Sequence, residues 1–171
     1  IDNESFYTVA VTDLTQDFKN KEIQNCILKI SNSVRISTNI KQLYRDIYKN
    51  LSILIPTENF TISLIIDKNN VEEYHYSRSK NNFNKKKAIK GNIIAPILKN
   101  KKPLIYCSEQ IEYLKDKKQL IPKFKTPNSY IAAPLIISNE IIGVISIKSF
   151  DKKNIYNEEE LNILKFISDQ I

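Results

Sequence analysis

Apolar positions along the chain change period several times, and each change marks an expected element. Residues 5–12 alternate apolar and polar, which predicts a short strand. Asp13 or Thr15 then stands where a short side-chain oxygen can accept from the free amides of a helical first turn. Ile23, Ile27, Ile30 and Val34 follow at spacings of four, three and four, a seam close to a coiled-coil repeat. Thr38-Asn39 breaks and re-caps the chain. Ile40, Leu43, Tyr44, Ile47, Leu51 and Leu54 then form a second amphipathic helix, stopped by Pro56.

From residue 59 the period falls to two. Phe60, Ile62, Leu64 and Ile66 take one face of a strand, and Thr61, Ser63 and Ile65 the other. Residues 67–70 read as a turn and 71–77 as the returning strand. Residues 78–90 are polar, basic and patternless, so a mobile loop is expected there. A short helix is expected from Gly91 through Leu98, a short strand at 103–107 and a helix over 108–119. The run SYIAAPLIISNEIIGVISIKSF is two apolar strands joined at Ser138-Asn139-Glu140, a hairpin in which Asn139 tolerates a positive φ. Pro134 in the first of them implies a bulge or an edge, because it cannot donate to a ladder. Asn157, with Glu160 three residues on, forms a capping box for a last helix carrying Leu161, Leu164, Ile167 and Ile171. Hairpins dominate this order, so the expected class is α+β: a mainly antiparallel sheet with helices packed on it.

Charge changes the picture little. Residues 78–125 hold 14 Lys/Arg against three Asp/Glu, although the whole chain is only +7. Lys and Asn are over-used throughout, and the basic stretch lacks aromatic interleaving and zinc-finger spacing, so it reads as solvated surface rather than a nucleic-acid interface. No apolar run reaches the roughly 18 residues of a membrane span. Cys26 and Cys107 have no metal-like spacing and make no disulfide framework, which fits a reducing compartment. The chain contains no methionine and opens at Ile1 inside an alternating run. It is therefore expected to be a piece of a longer, cytoplasmic protein, with any membrane anchor lying outside this segment.

Residues from about 25 to 171 resemble a GAF domain, the small-molecule sensing module of bacterial signalling proteins, most clearly from Asn128 to Ile171. Ser129, Pro134, Leu135, Ile142, Gly143, Val144, Tyr156, Glu160 and Leu161 fit that family's pattern, and PTENFTISLIID and GNIIAPILKNKKPLI are similar to its first strand and mid-domain helix. The resemblance implies a central antiparallel sheet of about five to six strands between long N- and C-terminal helices. VAVTDLTQDFKNKEI resembles the end of a PAS domain, with Leu14 in the Ile position of an Asp-Ile-Thr-type exit motif. The implied layout is a PAS remnant at 1–15, a connecting signalling helix at 16–37 and the GAF domain at 38–171.

Catalytic chemistry is not evident. His75 is a lone strand histidine flanked by tyrosines, and it is not in a phosphoacceptor context. Cys107 lacks the surroundings of a bilin attachment point or of the GAF-type methionine sulfoxide reductases, and reads as a small half-buried hydrophobe. Glu158-Glu159-Glu160 is explained as a first helical turn facing the macrodipole. Only fragments of the family's cyclic-nucleotide motif are present: Asn154 lacks a following Lys, Tyr156 replaces Phe, and Glu160-Leu161 replaces Asp-Glu. No catalytic or metal-ligating residues are assigned, and no cofactor is specified.

The resemblance implies a ligand pocket between the sheet and the mid-domain helices. By strand position and polarity its candidates are Ser63, Ile65, Tyr74, Tyr76, Tyr106, Tyr130 and Ser146, and the basic stretch above them favours an anionic ligand. Ile23, Ile27, Ile30 and Val34, with Leu164, Ile167 and Ile171, are the candidate dimer and signalling surface. The expected function is a non-catalytic sensor or regulatory module, homodimeric and covalently linked to a PAS domain and an output domain, a histidine kinase or diguanylate cyclase. The alternatives are a ligand-free dimerisation and relay module and, third, a free-standing GAF-type enzyme.

Overall fold

The computed structural model describes residues 15–37, 39–77, 81–121 and 125–171. The strand expected at 5–12, the cap expected at Asp13 and most of the PAS-like motif lie outside the described residues. Helix α1 (Thr15–Ile36) is followed by α2 (Ile40–Leu54), whose cap is Asn39: its side chain accepts from the Lys41 amide at 2.9 Å. Six strands follow: β1 (Asn59–Asp67), β2 (Asn70–Ser77), β3 (Asn81–Ala88), β4 (Leu104–Tyr106), β5 (Ser129–Ile137) and β6 (Glu140–Ser149). Two short helices, α3 (Ala95–Asn100) and α4 (Ser108–Asp116), lie between β3 and β5, and α5 (Glu158–Ser168) comes last. The strands form one antiparallel sheet in the order β3-β2-β1-β6-β5-β4.

Three local expectations need correction. Residues 81–88 are not a loop but the edge strand β3, paired with β2 from Tyr76↔Asn81 to Asn70↔Ala88. Asn and Lys are poor strand formers, but pairing to a neighbour can override so weak a preference. Lysines on an edge also discourage further strand addition. The mid-domain helix begins at Ala95, not Gly91; Gly91 takes a left-handed turn at φ +72° and Pro96 occupies the helix's first turn. The C-terminal helix is only 11 residues, so of the two terminal helices only α1 is long.

Other expectations hold. The β5–β6 turn carries positive φ at both Ser138 and Asn139, as a two-residue primed turn requires. Pro134 lies beyond the last β4 pair, Leu104↔Ala132, so one side of β5 is an edge there, and a register shift follows at Leu135/Ile136. The capping box at Asn157 is formed in both directions, with Glu159 N donating to Asn157 Oδ1 at 2.7 Å and Asn157 N to Glu160 Oε2 at 2.8 Å.

The period-two pattern divides the sheet into two cores. Phe60, Ile62, Ile131, Ala133, Ile145 and Ile147 face a layer made of α1, α2 and α5. Val71, Tyr130, Ala132 and Val144 face Ile93, Ile94, Ile97 and Ile111 on the other side. Ile66 belongs by parity with the first face but is 51% exposed, at the register shift between Ile65 and Asp67. The α1 helix runs alongside α5 in the same direction, tied by the Lys19–Glu159 ion pair at one end and by Ser31 Oγ donating to Gln170 Oε1 at the other. No helix among the described residues is long and apolar enough to cross a membrane.

Candidate functional site

The face of the sheet turned away from α1, α2 and α5 carries a row of polar side chains. Glu73 and His75 project from β2, Thr61 and Ser63 from β1, and Ser146 and Lys148 from β6, brought level by the pairs Ser63↔Glu73, Thr61↔His75 and Thr61↔Ser146. Over the β2–β3 side of this row lies a pocket of about 360 Å³. Its floor is Glu73, His75 and Lys148, its apolar walls are Ile93, Leu120, Pro127 and Phe150, and Lys85, Lys87 and Lys125 also line it. The size is that of a small-ligand site.

Charge is concentrated at the floor. Glu73 is only 5% exposed and is ion-paired with Lys87. Burial alone would raise its pKa, but the attraction of Lys148 and then of Lys87 outweighs it and holds the carboxyl below the ordinary 4.5. Burial lowers the Lys148 pKa from 10.5, with Glu73 opposing. The Lys148 ammonium forms no ion pair among the described residues and lies over the Tyr130 ring, 5.9 Å from its centroid. His75 Nδ1 is 3.1 Å from Thr61 Oγ1. Its pKa is pushed down to about 4, first by burial and then by Lys148, so the ring is neutral near pH 7.

Beside the pocket, Tyr130 is fully buried and stacked on Tyr106, with centroids 6.4 Å apart. Tyr130 and Ser146 lie close enough to influence each other, yet neither hydroxyl, nor that of Ser63, has hydrogen-bond geometry to a protein partner. None of the seven residues expected at a pocket lines this one, although Ser63, Ile65, Tyr106, Tyr130 and Ser146 share its face of the sheet. Tyr74 and Tyr76 do not. They belong to the helix-side core, where the Tyr76 hydroxyl donates to Lys41 O at 3.0 Å and that of Tyr74 to Glu72 Oε2 at 2.8 Å.

The reason is strand parity. Tyr74 and Tyr76 alternate with Glu73 and His75, and the two larger apolar side chains take the thicker core. Glu73, His75, Lys87 and Lys148 were the residues missed by sequence reasoning, although the alternation in VEEYHYS carried the signal for two of them.

The candidate dimer residues are mostly occupied within one chain. Ile30, Leu164 and Ile167 are fully buried, and Ile23, Val34 and Ile171 pack partly buried against the same core. Ile27 is half-buried. Cys26 is buried, and its thiol pKa is raised to about 11 by burial, with Lys29 opposing. No group of three or more metal-binding side chains occurs among the described residues.

A sequence model of the GAF domain matches residues 37–171. The fold is similar to that of the A. Aeolicus nlh2 GAF domain in an inactive state, at 17% identity over 88% of this chain and 91% of that one, with a TM-score of 0.65. It is also similar to the phycocyanobilin-bound GAF domain of a cyanobacterial phytochrome, at 16% identity, covering 86% and 90%, TM-score 0.65. A third similar structure is a methyl-accepting chemotaxis protein, at 15% identity, covering 82% and 91%, TM-score 0.65. No curated protein matches significantly.

Proposed function

The chain belongs to the GAF domain family, and on that premise we propose that it is a sensory or regulatory module that takes a small molecule in the pocket over β2, β3 and β6. GAF domains are in general regulatory rather than catalytic. The observation that carries the reading is the pocket floor: the buried Glu73 and the half-buried His75 and Lys148 meet at a cavity of about 360 Å³ lined partly by apolar side chains. Burying charge is costly, and a ligand that pairs with it offsets part of that cost. The solved phytochrome domain binds phycocyanobilin, but a tetrapyrrole is a poor fit to so small a pocket, and the lining here contains no cysteine.

The finer reading places residues 1–15 at the end of a PAS domain, 16–37 in a signalling helix and 38–171 in the GAF domain, within a cytoplasmic histidine kinase or diguanylate cyclase. Its support is the Asp13-Leu14-Thr15 motif and the helical seams. A ligand-free relay module is the second reading, favoured by the exposed Leu28, Ile36 and Phe166 on α1 and α5.

The two readings separate in a thermal-shift screen of metabolite mixtures against the wild type and Thr126→Trp, a pocket-filling variant. Ligand sensing requires stabilisation of the wild type that the filled variant loses while keeping its fold. Stabilisation equal in both proteins would remove the ligand from this pocket, and none in either would favour the relay.

A further inference from the structure

We propose that the pocket selects a small organic monoanion, a carboxylate joined to an apolar body, with the carboxylate received by Lys148 and His75. This rests on the reading of the pocket as a ligand site and adds the ligand's class. The buried charges at the floor do not cancel. Glu73 is one negative charge facing two positive ones, Lys87, which is ion-paired with it, and Lys148, which attracts it without forming an ion pair among the described residues, so the floor keeps one net positive charge. A quadrupolar contact with the Tyr130 ring is weaker than an ion pair at a desolvated site.

His75 supplies the second contact. The neutral ring has one N–H. If the Thr61 hydroxyl donates to Nδ1 across their 3.1 Å contact, the proton is on Nε2, which leaves a donor for an oxygen anion. Ile93, Leu120, Pro127 and Phe150 offer only apolar surface to the rest of the ligand. Lys125 Nζ sits over the Phe150 ring, 4.5 Å from its centroid. Lys85 and Lys125 are exposed, so water and salt screen them and they add attraction on approach more than selectivity. One net positive charge at the floor matches one negative charge. A phosphate dianion would leave charge unmatched at the floor.

The test compares phenylacetate with phenylacetamide, which has a similar shape without the charge, and with inorganic phosphate. Binding is followed by thermal shift and by NMR shifts of the His75 ring in the wild type, Lys148→Gln, Lys148→Arg and Lys125→Gln. Phenylacetate should bind saturably and perturb His75, and the amide should bind at least about tenfold more weakly. Lys148→Gln should bring the acid down to the amide's level, Lys148→Arg should keep most of the difference, and Lys125→Gln should change it less than Lys148→Gln does. The wild-type comparison of acid with amide stands even if Lys148→Gln does not fold. Equal binding of acid and amide at His75 would overturn the charge selection and leave the pocket as a ligand site. Phosphate binding that excels phenylacetate's, or binding of neither organic probe, would overturn the proposal.

Discussion

His75 is the chain's single histidine and the residue through which pH should reach the pocket. Its folded pKa of about 4 lies below the ordinary 6.5, first through burial and then through the repulsion of Lys148. Between those two values the unfolded chain binds more protons than the folded one, so stability rises with pH across the window and falls as the solution is acidified from 6.5 toward 4. The depressed pKa of Glu73 adds a loss of the same sign at lower pH. Urea midpoints measured from pH 7 to 4 should therefore drop, and His75→Gln should remove much of the slope above pH 4.5. An unchanged slope in the variant would show that the ring is already solvated.

At the scale of elements, β1 and β6 approach closely at Gly143. This residue pairs with Leu64 on one side and Leu135 on the other. A Cβ built there would come within 2.4 Å of the Ser63 carbonyl oxygen, which is backbone of the neighbouring strand and has little freedom to move. Gly143→Ala should destabilise the domain by about 2 kcal/mol through this overpacking. A urea titration that found the variant as stable as the wild type would refute the close approach of β1 and β6. Ser63 lies on the pocket's side of the sheet, so the same substitution should also disturb the buried hydroxyls of that face.

At the scale of the whole molecule, the expected helical seam and its neighbours on α1 and α5 have different fates. Ile30, Leu164 and Ile167 are spent on the chain's own core. Leu28 and Phe166 remain 61% and 57% exposed on α1 and α5. If these helices pair about a twofold axis, as their sequence pattern predicts, the exposed pair carries the contact and the buried residues do not. Sedimentation at high concentration should then show a dimer that Leu28→Asp or Phe166→Asp dissociates with little loss of stability, whereas Ile30→Asp unfolds the domain. A monomer at every concentration would refute the pairing for this chain.

Most helix and strand positions from residue 40 onward, though not the start of α3, were legible because each follows from a local rule. A 3.6-residue period, a capping box at Asn157 and a two-residue turn at Ser138-Asn139 act within a few residues of chain. The family pattern from Ser129 to Leu161 was legible for the same reason. Strand β3 was not, because Asn81–Ala88 has no period of its own and is a strand only through its pairing with β2. Nor was the full charged floor, since Glu73, Lys87 and Lys148 come from three strands and meet only when β1 is inserted between β2 and β6. Apolar burial chose which side of β2 faces the helices, and that choice sent Tyr74 and Tyr76 into the core and Glu73 and His75 to the pocket. Sequence determines how a strand's residues alternate, but only the packing of the sheet between two unequal layers decides which alternate set faces which layer.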